Sequence, residues 1–185
     1  MKIALIGNPN AGKTSLFNQL TGLNQRVGNF PGVTVEMKTG FCKLPSGKKV
    51  EILDLPGTYS LHPKSLDEDL VLNTLLQPHE RPDALIVVAD ASNLKRHLLL
   101  FMEVRDLGLP TILLLNMMDI AEEAGLRFDL KHLEASLGCP IVSTNARKGE
   151  GLEQLKALLE APVPTPQLVW EAEDLLPKVL HTALQ

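Results

Sequence analysis

Gly7-Asn8-Pro9-Asn10-Ala11-Gly12-Lys13-Thr14 decides the reading of this chain. The apolar run Ile3-Ala4-Leu5-Ile6 precedes it and Ser15-Leu16-Phe17-Asn18-Gln19-Leu20 follows it, the pattern of strand, glycine-rich loop and helix. Two glycines with four residues between them, followed by Lys and Thr, make a loop whose backbone N–H groups can wrap a string of phosphates. In such a loop Lys13 reaches the β- and γ-phosphates and the Thr14 hydroxyl holds Mg²⁺. A helix opening at Lys13 adds its unpaired N–H groups and positive dipole end to the same anion. A bare Gly/Asn turn would need neither the strand before nor the helix after. The stretch implies a nucleoside triphosphate site built from Gly7, Asn8, Pro9, Asn10, Ala11, Gly12, Lys13, Thr14 and Ser15.

Composition narrows the setting. The 185 residues suit one domain with a sizeable core and a short appendage. A hydrophobic share of 44% and a charged share of 22% are ordinary for a globular chain. The net charge of −4, with both signs interspersed, argues against nucleic acid as the main partner. Cys42 and Cys139 lack metal-ligand spacing and read as buried free thiols in a reducing compartment. The apolar runs are too short to cross a bilayer, and the start reads as a strand rather than a leader, so the expectation for this chain is cytosolic.

Strand and helix signals alternate, which predicts an α/β fold with a mostly parallel six-stranded sheet, one antiparallel strand and helices on both faces. Val35 to Leu44 and Lys48 to Leu53 read as an antiparallel hairpin turning at Pro45-Ser46-Gly47-Lys48. Asp83–Ala89 and Pro110–Asn116 read as strands buried on both faces, and Cys139–Ser143 as the last strand. Helices are expected at Leu66–Leu76, Leu94–Leu107, Asp129–Leu137 and Gly151–Leu159. Arg26 to Thr34 shows no periodicity. Three prolines within Ala161–Pro166 mark the end of a domain spanning 1–164. Beyond it, Leu168, Val169, Trp170, Leu175, Leu176, Val179, Leu180, Ala183 and Leu184 recur at helical spacing. We read 165–185 as the start of a second, helical domain rather than a helix folded back on the first.

Two further motifs extend the site. Asp54-Leu55-Pro56-Gly57 follows an apolar run. There Asp54 can accept from Mg²⁺-bound water, and the Gly57 N–H can donate to the γ-phosphate. Thr34 offers a hydroxyl as another Mg²⁺ ligand. Asn116-Met117-Met118-Asp119 ends a later strand, and the Asp119 carboxylate can accept from N1–H and the exocyclic amine of guanine, a donor pair that adenine lacks. After the last strand, an N–H near Ala146 in Thr144-Asn145-Ala146-Arg147 can face guanine O6, with Arg147 or Lys148 over the base. His62, His79, His97, His132 and His181 lack partners at ligand spacing, and none is assigned to a metal. Asp67-Glu68-Asp69 reads as helix capping, with a catalytic Glu68 as the lesser alternative.

In order and spacing these motifs resemble those of the P-loop GTPases. The loop Gly7–Ser15, Gly28-Asn29-Phe30-Pro31-Gly32-Val33-Thr34-Val35-Glu36, Asp54-Leu55-Pro56-Gly57-Thr58-Tyr59-Ser60-Leu61 and Asn116-Met117-Met118-Asp119 together resemble the N-terminal G domain of FeoB, the bacterial ferrous iron transporter. The similarity covers residues 1 to 160. It implies GTP and GDP as ligands, Mg²⁺ as cofactor, a following helical domain and a membrane permease portion as partners, and a place on the cytoplasmic face of the bacterial inner membrane. A homo-oligomer is compatible with it.

Two departures from Ras-like GTPases stand out. Met117 replaces the lysine usual in N-K-x-D, which predicts weaker guanine nucleotide binding and faster release. Thr58 occupies the place of the water-positioning glutamine and is too short for that role, which predicts slow intrinsic hydrolysis. The resemblance implies a substitute: Asn10 helping to bind K⁺ beside the phosphates, where the ion offsets developing charge as an arginine finger does. Catalytic weight then falls on Asn10, Lys13, Thr34 and Gly57. The competing reading is an RNA- or ribosome-associated K⁺-dependent GTPase, for which the basic surface is missing.

Overall fold

The computed structural model describes residues 1–22, 25–29 and 36–166, the side chains of 25–29 and 36 excepted. The Gly28–Glu36 segment therefore lies mostly outside the described residues, Thr34 included, and so does the tail 167–185.

Seven strands form one sheet: β1 (Lys2–Gly7), β2 (Gln25–Asn29), β3 (Glu36–Lys43), β4 (Lys49–Asp54), β5 (Ala84–Asp90), β6 (Thr111–Asn116) and β7 (Ile141–Ser143), in the order β2-β3-β4-β1-β5-β6-β7. Pairing along β4-β1-β5-β6-β7 is parallel, and β3 runs against both of its neighbours. The six strands expected from the sequence are present. The addition is β2, at the edge, where the sequence has no alternation to announce it. Its pairing with β3 supplies a ladder of backbone bonds, which needs no apolar pattern. The β3–β4 hairpin closes at Gly47, whose φ of 87° requires glycine.

Helices cover both faces. They are α1 (Lys13–Thr21), α2 (Leu66–Leu76), α3 (Leu94–Arg105), α4 (Met118–Glu123), α5 (Leu130–Leu137) and α6 (Leu152–Leu158). The period of two along β1 divides the core: Ile3 and Leu5 join Leu16, Phe17, Leu20, Leu152 and Leu155 on one side. Ala4 and Ile6 join Val71, Leu75, Leu100, Phe101 and Val104 on the other. Helix α4 went unread because its six residues are too few to show a period.

The sheet order fixes where a site can form. From β1 the chain first builds β2–β4 on one side, then crosses to β5 on the other. That reversal opens a crevice above the carboxyl ends of the strands. At the opposite end, the Thr111 N–H donates to the Pro164 carbonyl at 3.1 Å, and Val163 enters the core. The proline-rich stretch thus binds back onto the sheet it follows.

Candidate functional site

The crevice holds a cavity of about 500 Å³. Its first wall is the loop between β1 and α1. Gly12 precedes α1 with φ 88° and no side chain caps the helix, so its first N–H groups face the loop. Asn10 also sits in the left-handed region, at φ 67°, a conformation asparagine tolerates better than most residues. Asn8, Pro9, Asn10, Gly12, Lys13, Thr14, Ser15 and Gly57 all line this end. Gly7 and Ala11 do not; they shape the loop from behind. A Cβ on Gly7 would lie 2.5 Å from the Val88 carbonyl oxygen, so the loop leaves β1 flush against β5. A Cβ on Gly57 would come within 3.2 Å of the Pro9 backbone. These two segments touch, and a side chain at residue 57 would press the Pro9 backbone away.

Beneath this wall the Asp54 carboxylate, at the end of β4, pairs with the Lys13 ammonium through Oδ1. It also accepts from the Thr14 hydroxyl through Oδ2 at 3.3 Å. Lys13 and Asp54 are both buried. Parallel register sets Asp54 opposite Leu5, two residues before Gly7, and so directly under the loop. A hydroxyl and a carboxylate at this distance are hard oxygen donors of the kind Mg²⁺ takes, so the residues present fit that ion.

The far wall comes from β6 and β7. Asn116 is 3% exposed, and its amide ties three segments together. Nδ2 donates to the Ala11 carbonyl at 2.9 Å, while Oδ1 accepts from the Ala146 N–H at 2.9 Å and lies 3.4 Å from the Thr144 hydroxyl. The Ala146 N–H expected to face a base is therefore engaged by Asn116 here, and Ala146 is not part of the cavity wall. Asp119 opens α4 and accepts from Asn145 Nδ2 at 2.7 Å, with the Lys148 ammonium 3.8 Å away. Met117, Asn145 and Arg147 line the same end. Met117 has φ 61°, which turns the chain so that Asp119 rather than the Met118 side chain meets the cavity.

Two features were not legible beforehand. Ile120, next to Asp119, contributes an exposed apolar surface to the cavity. Thr58 turns inward instead of toward the cavity: it is 1% exposed and its hydroxyl donates to the Ser60 carbonyl at 2.6 Å. Glu68 caps α2 together with Ser65, whose hydroxyl accepts the Glu68 N–H. Its carboxylate takes the Lys64 N–H at 2.8 Å. Cys42 and Cys139 are buried free thiols, and burial pushes Cys139 up to about 12, which makes it inert. Among the described residues no cluster of His, Cys, Asp and Glu could hold a metal, and no helix is long and apolar enough to cross a membrane.

Comparison with known proteins agrees with this layout. Residues 1–159 match the family model for ferrous iron transport protein B. The chain is 49% identical over 157 residues to the Fe(2+) transporter FeoB of Leptospira biflexa and 48% identical over 164 residues to that of Escherichia coli K12. Those stretches cover 85% and 86% of this chain but only 22% and 21% of the relatives, so the chain spans about a fifth of their length. Among solved structures, the cytosolic domain of T. maritima FeoB in its GMPPNP form superposes with a TM-score of 0.85 at 41% identity, covering 92% of this chain and 68% of that one. The cytosolic domain of L. pneumophila FeoB gives 0.83 at 41%, covering 98% and 75%. A GDP-bound S. thermophilus NFeoB variant gives 0.79 at 43%, covering 90% and 63%. With the phosphate loop, the Asp54 carboxylate and the Asp119 wall all in place, the chain belongs to the ferrous iron transport protein B family and corresponds to its N-terminal GTPase domain.

Proposed function

We propose that this domain binds GTP with Mg²⁺, hydrolyses it to GDP and phosphate, and so serves as the regulatory or energising part of a membrane ferrous iron transporter. One observation carries the reading: a single cavity has Lys13 and Thr14, both in contact with the buried Asp54 carboxylate behind them, at one end and Asp119 at the other. Phosphates on the loop would receive the free N–H groups of α1 and the Lys13 ammonium. Thr14 and Thr34 would hold Mg²⁺, with Asp54 accepting from its bound water, and the ion would supply charge neutralisation between the β- and γ-phosphates. Guanine would lie between Asp119 and Arg147, with Asn145 holding the carboxylate in line. GDP-bound and GMPPNP-form relatives at above 40% identity support the choice of nucleotide.

Thr58 faces away from the phosphate end, so no side chain at that position orients an attacking water. Intrinsic turnover is then slow, and K⁺ held with the help of Asn10 supplies the missing charge. The left-handed Asn10 backbone at the cavity wall supports that role. The parent protein would carry a helical domain and a permease after this one, with this domain on the cytoplasmic face.

The test is phosphate release with Mg²⁺ and GTP in K⁺ or Na⁺ buffers at equal ionic strength. Expected are faster turnover in K⁺, loss of that response in Asn10→Ala, and no turnover of ATP. Equal rates in the two salts would remove the K⁺ role, and the absence of any GTP turnover would leave a binding module.

A further inference from the structure

The residues after Gly57 leave the cavity and run along the outside of α3, where they are held at both ends. On the first turn of α3, the Arg96 guanidinium lies over the Tyr59 ring, 4.6 Å from its centroid. On the last turn, the Glu103 carboxylate accepts the Leu61 N–H at 2.5 Å through Oε2 and the Ser60 hydroxyl at 3.3 Å through Oε1. His62 Nδ1 lies 3.5 Å from Glu103 Oε1. From the α2 side, Glu68 Oε1 lies 3.3 Å from the Thr58 hydroxyl, which itself donates to the Ser60 carbonyl. Carboxylates from two helices therefore grip Thr58–His62, a segment with no regular structure of its own.

This grip reaches the cavity through one residue. Gly57 lines the phosphate end, whereas Thr58–His62 do not. The Thr58 N–H donates to the Gly7 carbonyl at 3.2 Å, and Gly57 is pressed against Pro9. Gly57 is thus pinned between the phosphate loop and a segment whose far end is fastened by Glu103. Glu103 is a partly exposed carboxylate on α3, and it spends its acceptors on backbone and hydroxyl donors of the neighbouring segment. Charge-assisted bonds of this kind are the stronger class.

We propose that Glu103 is a positioning residue for the γ-phosphate end of the site. By fastening Ser60 and Leu61 to α3 it preorganises the Gly57 N–H, so that less ordering remains to be done when a triphosphate binds. This rests on the guanine nucleotide reading above. It concerns a group that touches neither nucleotide nor metal and acts only through the chain from residue 61 back to 57. Because a diphosphate has no γ-phosphate for Gly57 to meet, the effect falls on triphosphate binding and turnover and spares GDP.

The experiment compares the unaltered protein with Glu103→Ala and Glu103→Gln. It measures affinity for GDP and for a non-hydrolysable GTP analogue, single-turnover GTP hydrolysis, and the thermal midpoint. Expected for Glu103→Ala is a fall of about tenfold in single-turnover rate and a weaker preference for the triphosphate analogue, with GDP affinity unchanged. Glu103→Gln keeps an acceptor oxygen for the Leu61 N–H and should recover most of the loss. Should Glu103→Ala fail to fold, Arg96→Met loosens the Tyr59 end of the same segment and should act in the same direction, about threefold.

Equal losses for GDP and the triphosphate analogue would mean a merely structural role and overturn the proposal. So would unchanged rates, or a glutamine variant no better than alanine. If the unaltered protein bound no guanine nucleotide, the site reading would fall and this inference with it. Intact binding that is indifferent to Glu103 overturns this inference alone.

Discussion

In the proposed function Asp119 reads the base, and the structure holds its carboxylate without consuming it. Asn145 Nδ2 donates to one oxygen at 2.7 Å, which leaves Oδ1 and the remaining lone pairs for a ligand. The Lys148 ammonium 3.8 Å away is 60% exposed, so solvent screens it and it contributes little. Specificity at such a group comes from what is left unpaired by the wrong partner. Replacing Asp119 by Asn turns one acceptor into a donor, which meets the guanine amine donor to donor. We expect Asp119→Asn to weaken GDP binding by about a hundredfold or more. Xanthosine diphosphate, which carries a carbonyl in place of that amine, should gain relative to GDP. Titration of the two nucleotides against both proteins checks this, and an unchanged ratio would remove Asp119 from base recognition. The residue types at this end were legible in the sequence. That Asn116 and Ala146 bond to each other was not, because the two are thirty residues apart and meet only through the β6–β7 register.

At the scale of elements, the site depends on how closely loops and strands approach one another, and glycine sets those distances. Gly151 precedes α6 at φ 80°, and a Cβ there would lie 2.2 Å from the Ser143 carbonyl oxygen and 2.9 Å from Thr144 Cγ2. Both contacts belong to the strand end that carries Asn145 to the cavity. Backbone cannot yield as a flexible side chain can. Gly151→Ala should therefore cost about 2 kcal/mol or more of stability and displace the Asn145 loop. Denaturant unfolding checks the first part, and GDP affinity the second. A variant that kept full stability would show that the β7–α6 connection is looser than it stands here. The hairpin, the phosphate loop and the long helices were readable because glycine placement and apolar period are local signals. Strand β2 and helix α4 were not, since one is defined by its pairing and the other is shorter than two turns.

For the whole molecule, one buried titratable group ties stability to pH. His97, on α3, is 6% exposed and its Nδ1 accepts the Asp90 N–H at 3.3 Å at the end of β5. Burial holds its pKa below the ordinary value of 6.5, with the Asp90 carboxylate opposing and Arg96 reinforcing the shift. The unfolded chain therefore takes up this proton first as pH falls. The stability tied to neutral His97 is complete above about pH 6.5 and is lost as pH falls from there toward the lowered folded value. We expect the thermal midpoint to drop between pH 7.5 and 5, and His97→Gln to flatten that drop. An equal drop in the variant would assign the pH dependence to the carboxylates instead.

By itself the sequence determined the family and the residue types of the candidate site: the glycine-rich loop with Lys13 and Thr14, and the carboxylates Asp54 and Asp119. Each of those is a property of residue types at short spacing. Only the tertiary structure decided how the groups are held. It seats Asp54 beneath Lys13 and Thr14 and closes the Asn116 tie from Ala11 to Ala146. It also turns the Thr58 hydroxyl inward and fastens Ser60 and Leu61 to Glu103. These contacts join residues up to 105 positions apart in the chain. Their existence rests on strand register and on how a helix lies against a loop, which no local pattern of residues encodes.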